Sequence, residues 1–162
     1  MLQGMWEREV VSSRNYTDYS LVPACHPLAR KLQLLFLGAH MAQAETKKVL
    51  VVEDNATLAA MVKFVLELEG FEVLVAYDAE NAVELFSAEK PHVVISDIML
   101  PGIDGFTLIG MLKKLSDVPV IIITALVGIE HKRRGLAAGA ADYITKPFEP
   151  NDLVLRVKAV LQ

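Results

Sequence analysis

A single cysteine, Cys25, occurs in the 162 residues. One cysteine excludes an internal disulfide, and no Cys-x-x-Cys pair or Cys/His cluster offers a zinc pattern. The four histidines, His26, His40, His92 and His131, have no metal-ligating partner at useful spacing. An excess of basic residues is missing too: the formal net charge is -4, against direct nucleic-acid binding through a basic face. No apolar run approaches the roughly 18 residues needed to cross a bilayer. The best stretch, Leu32 to Leu37, is short and interrupted by Gln33. Internal repeats and low-complexity segments are also lacking. What is present is a 53% hydrophobic composition, enough for one domain with its own core and no structural metal.

The composition changes near residue 41. Residues 1–40 hold three acidic and four basic residues, a charge of +1, and show no sustained period of 2 or 3.6. The remaining 17 acidic and 12 basic residues give -5 for the rest. Arg30-Lys31 before the apolar run, with Ala42-Gln43-Ala44 after it, has the outline of a signal peptide. About thirty mostly polar residues ahead of it argue against secretion. Residues 28–37 fit a short amphipathic helix at best. We therefore expect residues 1–45 to be a disordered leader or an upstream extension ahead of Met41, and residues 46–162 to be the folded domain. A reducing cytoplasm is the expected compartment.

From Lys47 onward the pattern is regular. Val49-Leu50-Val51-Val52 is a β-branched run of the kind buried on both faces of a parallel sheet. Asn55 can cap a helix that carries Leu58, Met61, Val62, Val65 and Leu68 at helical spacing and ends at Gly70. Phe71–Ala76 reads as a second strand. Asp78 can cap a helix bearing Ala82, Val83, Leu85 and Phe86, closed by Pro91. Val93-Val94-Ile95, a helix over Asp104–Leu115, Val120–Ile123, a helix over about Gly128–Ala138, the pair Tyr143-Ile144, and a helix over Asn151–Leu161 follow. Five strands alternating with five helices predict right-handed crossovers and a parallel sheet covered on both sides.

In such sheets, sites form at the carboxyl ends of the strands. Polar residues stand directly after the apolar runs there: Glu53 and Asp54 after the first strand, Asp97 after the third, Thr124 at the end of the fourth and Lys146 after the fifth. Carboxylates gathered closely repel one another unless a cation neutralises them, and hard oxygen donors suit Mg²⁺. With Lys146 as a second positive charge and Thr124 as a hydroxyl donor, the set can hold a phosphoryl group while one carboxylate attacks phosphorus. Each residue has a plainer reading. Glu53 and Asp54 can be a solvated loop, Asp97 a cap for the turn before Pro101-Gly102, Thr124 a strand end, Lys146 a surface lysine and Tyr143 simple packing.

Four fragments decide between these readings. Val-Glu-Asp-Asn at 52–55, Ser-Asp-Ile-Met-Leu-Pro-Gly-Ile-Asp-Gly at 96–105, Thr-Ala at 124–125 and Tyr-Ile-Thr-Lys-Pro-Phe at 143–148 together resemble the response-regulator receiver family. The resemblance spans about residues 47–161. It implies a flavodoxin-like, doubly wound α/β fold with strand order 2-1-3-4-5. It implies that Asp97 is the phosphoacceptor, and that Asp54, Asp97 and the Met99 backbone carbonyl bind Mg²⁺ directly while Glu53 acts through a bound water. Thr124 would hydrogen-bond the phosphoryl group and Lys146 would pair with it. Tyr143 would be the aromatic that turns inward when Thr124 moves, and Lys146-Pro147 would be a cis peptide.

The implied role is a signalling domain rather than an enzyme. It would accept phosphoryl groups from a sensor histidine kinase or histidine phosphotransfer protein. It would act on a downstream protein through the face formed by the fourth helix, fifth strand and fifth helix, with no nucleic acid or membrane contact. The text after 149 resembles a transcription-factor subfamily that dimerises through that face. Arg156 and Asp142 fit its ion pairs, whereas Ala141 stands where it commonly has aspartate. The sequence ends after the fifth helix, which suits a single-domain regulator or a receiver cut from a longer one. Met99 and Leu126, two residues beyond Asp97 and Thr124, are apolar and cannot orient an attacking water, so slow self-dephosphorylation is expected. One rival is a magnesium-dependent aspartyl-phosphate phosphohydrolase. Such enzymes carry Asp-x-Asp after the first strand and a substrate cap, where this chain has Glu53-Asp54-Asn55. The other is a binding module that is never phosphorylated, which the five retained polar residues argue against.

Overall fold

The computed structural model describes residues 46–162. The expected leader, the signal-peptide outline and the short helix over 28–37 lie outside the described residues. Within them the chain alternates strictly: β1 (Lys48–Val52), α1 (Ala56–Leu68), β2 (Glu72–Ala76), α2 (Ala79–Glu89), β3 (Val93–Ser96), α3 (Gly105–Leu115), β4 (Val120–Thr124), α4 (Ile129–Ala137), β5 (Asp142–Thr145) and α5 (Pro150–Val160). All strand pairs are parallel, in the order β2-β1-β3-β4-β5. This is the doubly wound α/β fold that the alternation and the family resemblance imply.

The caps are where the side-chain chemistry places them. Asn55 Oδ1 accepts the N–H groups of Thr57 and Leu58 at 3.0 and 3.1 Å. Asp78 and Asp104 do the same for Asn81 and Thr107 at 2.7 and 2.9 Å. Each satisfies backbone donors that the first turn of a helix leaves free. Gly70 takes φ +86° just past α1, a conformation that would strain any other residue.

Alternation along the strands divides the core in two. Val49, Val51, Ile121 and Ile123 point to one face, where they pack with Val62 and Leu66 of α1 and Leu153 and Val157 of α5. Leu50, Val52, Val94 and Ile122 point to the other, with Phe86 of α2 and Phe106, Leu108, Ile109 and Leu112 of α3. Fully burying each such aliphatic side chain contributes about 1.5–3 kcal/mol, and the four apolar residues of β4 are all buried. One helix stripe differs from the sequence reading. The buried residues of α1 are Ala59, Val62 and Leu66, while Met61 and Leu68, both expected on the stripe, are 38% and 70% exposed. Leu68 sits in the last turn, where the chain leaves for β2 and no element covers it.

Candidate phosphoacceptor site

Parallel pairing brings all five carboxyl ends to one edge, and hydrogen bonds one residue past the strands fix the site backbone there. Glu53 N–H donates to Ala76 O and Asp97 N–H to Val52 O, both at 3.0 Å, and Lys146 N–H donates to Thr124 O at 2.8 Å. Three polar residues from three strands are thereby held in line across β1, β3 and β5.

Their side chains meet. Lys146 Nζ lies 2.6 Å from Asp97 Oδ2 and 2.7 Å from Glu53 Oε2. Both carboxylate residues are only 5% exposed, and Thr124 is fully buried at the end of β4. The second Asp97 oxygen, Oδ1, accepts the Met99 N–H at 2.9 Å. The plain reading of Asp97 as a turn cap is thus true of one oxygen, while the other carries the ion pair.

The electrostatics separate the two acids. Burial pushes Asp97 up, but the Lys146 ammonium, the Met99 N–H and the neighbouring Thr124 hydroxyl outweigh it and hold its carboxyl below the ordinary value. Glu53 shares the same lysine and has fewer donors, so burial wins and raises it. Burial opposes the charge on Lys146 as well, yet bonds to both carboxylates raise its pKa. Of the two acids, Asp97 is the one whose ionised form its surroundings favour.

Asp54, expected beside them, is exposed and outside this cluster. Among the described residues no group of three or more His, Cys, Asp or Glu side chains is gathered to hold a metal. The donor set nevertheless suits a hard divalent cation. Glu53 and Asp97 carry two negative charges against the one positive charge of Lys146, and Asp54, next along the chain, adds a third. A formal net -2 of carboxylate, two groups buried and Asp54 exposed beside them, is a charge such a cation balances.

The Tyr143 ring is turned inward and is 6% exposed. Its hydroxyl donates to Leu126 O at 2.7 Å, and Leu126 N–H in turn reaches Thr124 Oγ1 at 3.4 Å. Leu126 thus links Thr124 to Tyr143 through its two backbone groups. Sequence reasoning weighed only its side chain and missed this, because a backbone acceptor leaves no mark in the residue type. Gly105 was also missed as a site residue. A Cβ there would fall 2.2 Å from Asp97 O, so only glycine lets α3 start against the loop that follows β3. Lys146-Pro147 is cis, as the resemblance implies. Arg156, expected in intermolecular ion pairs, is held within the chain by Asp142 and Asp152 at 2.6 and 2.9 Å.

Comparison with known proteins agrees with this geometry. The family described as response regulator receiver domain matches residues 49–158. A probable transcriptional regulator ycf27 from Guillardia theta is 44% identical over 119 residues, covering 73% of this chain and 47% of the relative. One from Porphyridium aerugineum is 39% identical over 118 residues, covering 73% and 49%. The chain spans about half the length of the curated relatives it matches. Among solved structures, the receiver domain of the Francisella response regulator 1452 is similar at TM-score 0.69 and 37% identity, covering 72% of this chain and 97% of that one. The BeF3-activated N-terminal receiver domain of Klebsiella pneumoniae RstA is similar at 0.69 and 33%, covering 72% and 99%. No helix among the described residues is long and apolar enough to cross a membrane.

Proposed function

The chain belongs to the response-regulator receiver family, and on that premise we propose that Asp97 accepts a phosphoryl group and that the β4–α4–β5 corner reports it. The donor is a sensor histidine kinase or histidine phosphotransfer protein in the cytoplasm, and the recipient of the signal is a downstream protein that binds the α4–β5–α5 face. The observation that carries this reading is the Lys146 ammonium bridging two buried carboxylates at the ends of β1 and β3.

Asp97, kept ionised by its donors, attacks phosphorus. A new O–P bond forms as the bond to the donor's leaving group breaks. Lys146 passes from the carboxylate to a phosphoryl oxygen, and the Thr124 hydroxyl donates to another. Glu53, Asp54, Asp97 and the Met99 carbonyl would hold Mg²⁺, which supplies charge neutralisation for the transferring group. Once Thr124 turns toward the phosphoryl group, the Leu126–Tyr143 link favours one of two pre-existing arrangements of the corner. A homodimer through the same face requires Arg156 to exchange its internal partners for those of a second copy. Residues 1–45 are read as a leader or upstream extension, which N-terminal sequencing of the native protein tests.

Incubation with acetyl phosphate, with and without Mg²⁺, followed by peptide mass mapping tests the proposal. One persistent phosphoryl group on the peptide containing Asp97, dependent on the metal, is expected. Steady turnover with no stable adduct would favour the phosphohydrolase reading. An unmodified protein in excess donor and metal would overturn the proposal.

A further inference from the structure

We propose that Gly135 is a positioning residue for the switch: its missing side chain forms the seat that lets the Tyr143 ring lie inward. This rests on the reading of Tyr143 as the reporting aromatic. A glycine inside a helix is disfavoured relative to alanine, so its presence mid-α4 needs a reason. Backbone conformation supplies none, because Gly135 is not among the residues with positive φ. Space does. A Cβ at 135 would lie 2.6 Å from Ile122 Cδ1 and 3.1 and 3.5 Å from Tyr143 Cδ2 and Cε2, where carbon atoms normally rest about 3.5–4.0 Å apart. Gly135 is also the one buried residue of α4, so the backbone of this helix is the wall against which the ring packs.

Something must yield if a methyl group is added, and the surroundings indicate what. Ile122 is fully buried in the core beneath. Lifting α4 would uncover it and draw Arg134 off the Phe106 ring, which its guanidinium overlies at 4.3 Å. Tyr143 stands on β5, an edge strand, with its inward pose held by the one bond from its hydroxyl to Leu126 O. The Ile122 Cδ1 methyl, at the closest approach, must swing aside, and because Ile122 and Tyr143 are register partners on β4 and β5, the ring turning outward both removes the second contact and opens the space the methyl swings into. Gly110 supplies the contrast: it lies mid-α3 and a Cβ there meets nothing within 4 Å.

Fluorotyrosine labelling and fluorine NMR of the full chain test this without any phosphodonor. The four tyrosines are Tyr16, Tyr19, Tyr77 and Tyr143, and Tyr143→Phe assigns the last. In the parent protein the Tyr143 resonance is expected to be insensitive to exchange of H₂O for D₂O. In Gly135→Ala it should move and acquire a solvent shift like that of the exposed Tyr77. Gly110→Ala should leave it in place. A Tyr143 resonance unchanged in folded Gly135→Ala, or moved equally by Gly110→Ala, overturns the proposal. Should Gly135→Ala fail to fold, the double variant Gly135→Ala/Tyr143→Ala should recover the fold. Its failure to do so would place the clash at Ile122 instead and overturn the proposal. Adding acetyl phosphate and Mg²⁺ to the labelled parent tests the switch reading separately, so either idea can fail without the other.

Discussion

Strand β3 buries all four of its residues, whereas helix α4 buries one, and that one is a glycine. The two are joined through β4, which pairs with β3 and runs into α4. β3 sits between β1 and β4, covered on both faces, and presents its carboxylate from a backbone with no slack. Beyond the end of β4, the loop and helix α4 expose Val127 and Ile129 at 68% and 75%, and α4 buries no apolar side chain. Close-packed regions transmit strain, and lightly packed ones rearrange at low free-energy cost. The contrast teaches how one small domain can hold a buried carboxylate firmly beside a region free to rearrange, which is what the proposed function requires.

The largest effect expected comes from the reacting group itself. Asp97→Asn should abolish phosphoryl uptake while keeping the fold, as read by peptide mass mapping and circular dichroism. Next is packing. Ile121→Ala, in the fully buried centre, should cost about 2–5 kcal/mol, while Leu136→Ala at the corner should stay within about 0.5 kcal/mol. Urea unfolding of both checks this, and equal losses would remove the distinction between the regions.

Lys146→Met tests what keeps the fixed edge charged. Uptake from acetyl phosphate should fall roughly 100-fold, the scale of losing one preorganised charge. The slope that Asp97 contributes to the pH dependence of stability should also change sign. In the parent, Asp97 has a lowered pKa, so its contribution is present above the ordinary carboxylate value and is lost as pH falls through the lowered one. Glu53, raised by burial, contributes below its ordinary value and loses that as pH rises through the raised one. Lys146, also raised, contributes below its ordinary value and loses that as pH rises through its own raised one. Without the lysine, burial dominates both acids. The melting temperature should then fall as pH rises through and above the carboxylate range, where Asp97 in the parent contributes the opposite slope.

A smaller effect concerns the lifetime of the modified state. Met99→Asn with Leu126→Glu should speed phosphoryl loss by about tenfold, short of the 10²–10⁴ a positioned general base supplies. Following decay of the phosphoryl mass checks it. The least is expected from Arg156→Ala. Its two pairs are more than one-third exposed on the arginine side, so unfolding should show a loss of at most about 0.5 kcal/mol.

The elements of both regions were legible in the sequence, whereas the contacts between elements were not. Apolar runs at 49–52, 93–95 and 120–123 announced the strands, Asn55, Asp78 and Asp104 announced the helix starts, and polar residues after each run marked the site. Those signals are local and follow from chain periodicity. Gly135, Gly105 and the Leu126 carbonyl gave no such signal, because their roles depend on what another element brings within a few ångströms. Leu68 fitted the apolar stripe of α1 by spacing, yet spacing cannot say where a neighbouring element stops covering the helix. Spacing showed only that His92 has no metal-ligating partner, whereas in the fold its Nδ1 accepts the Lys48 N–H at 3.0 Å at the start of β1.

The most direct test of the contrast is amide hydrogen exchange, read by peptide before and after acetyl phosphate and Mg²⁺, with Asp97→Asn as the control. The account predicts altered protection across residues 124–145, none in the strands at 49–52 and 93–96, and no change anywhere in the control. Altered exchange spread evenly over the sheet, or a corner that stays unchanged in fully phosphorylated protein, would contradict it.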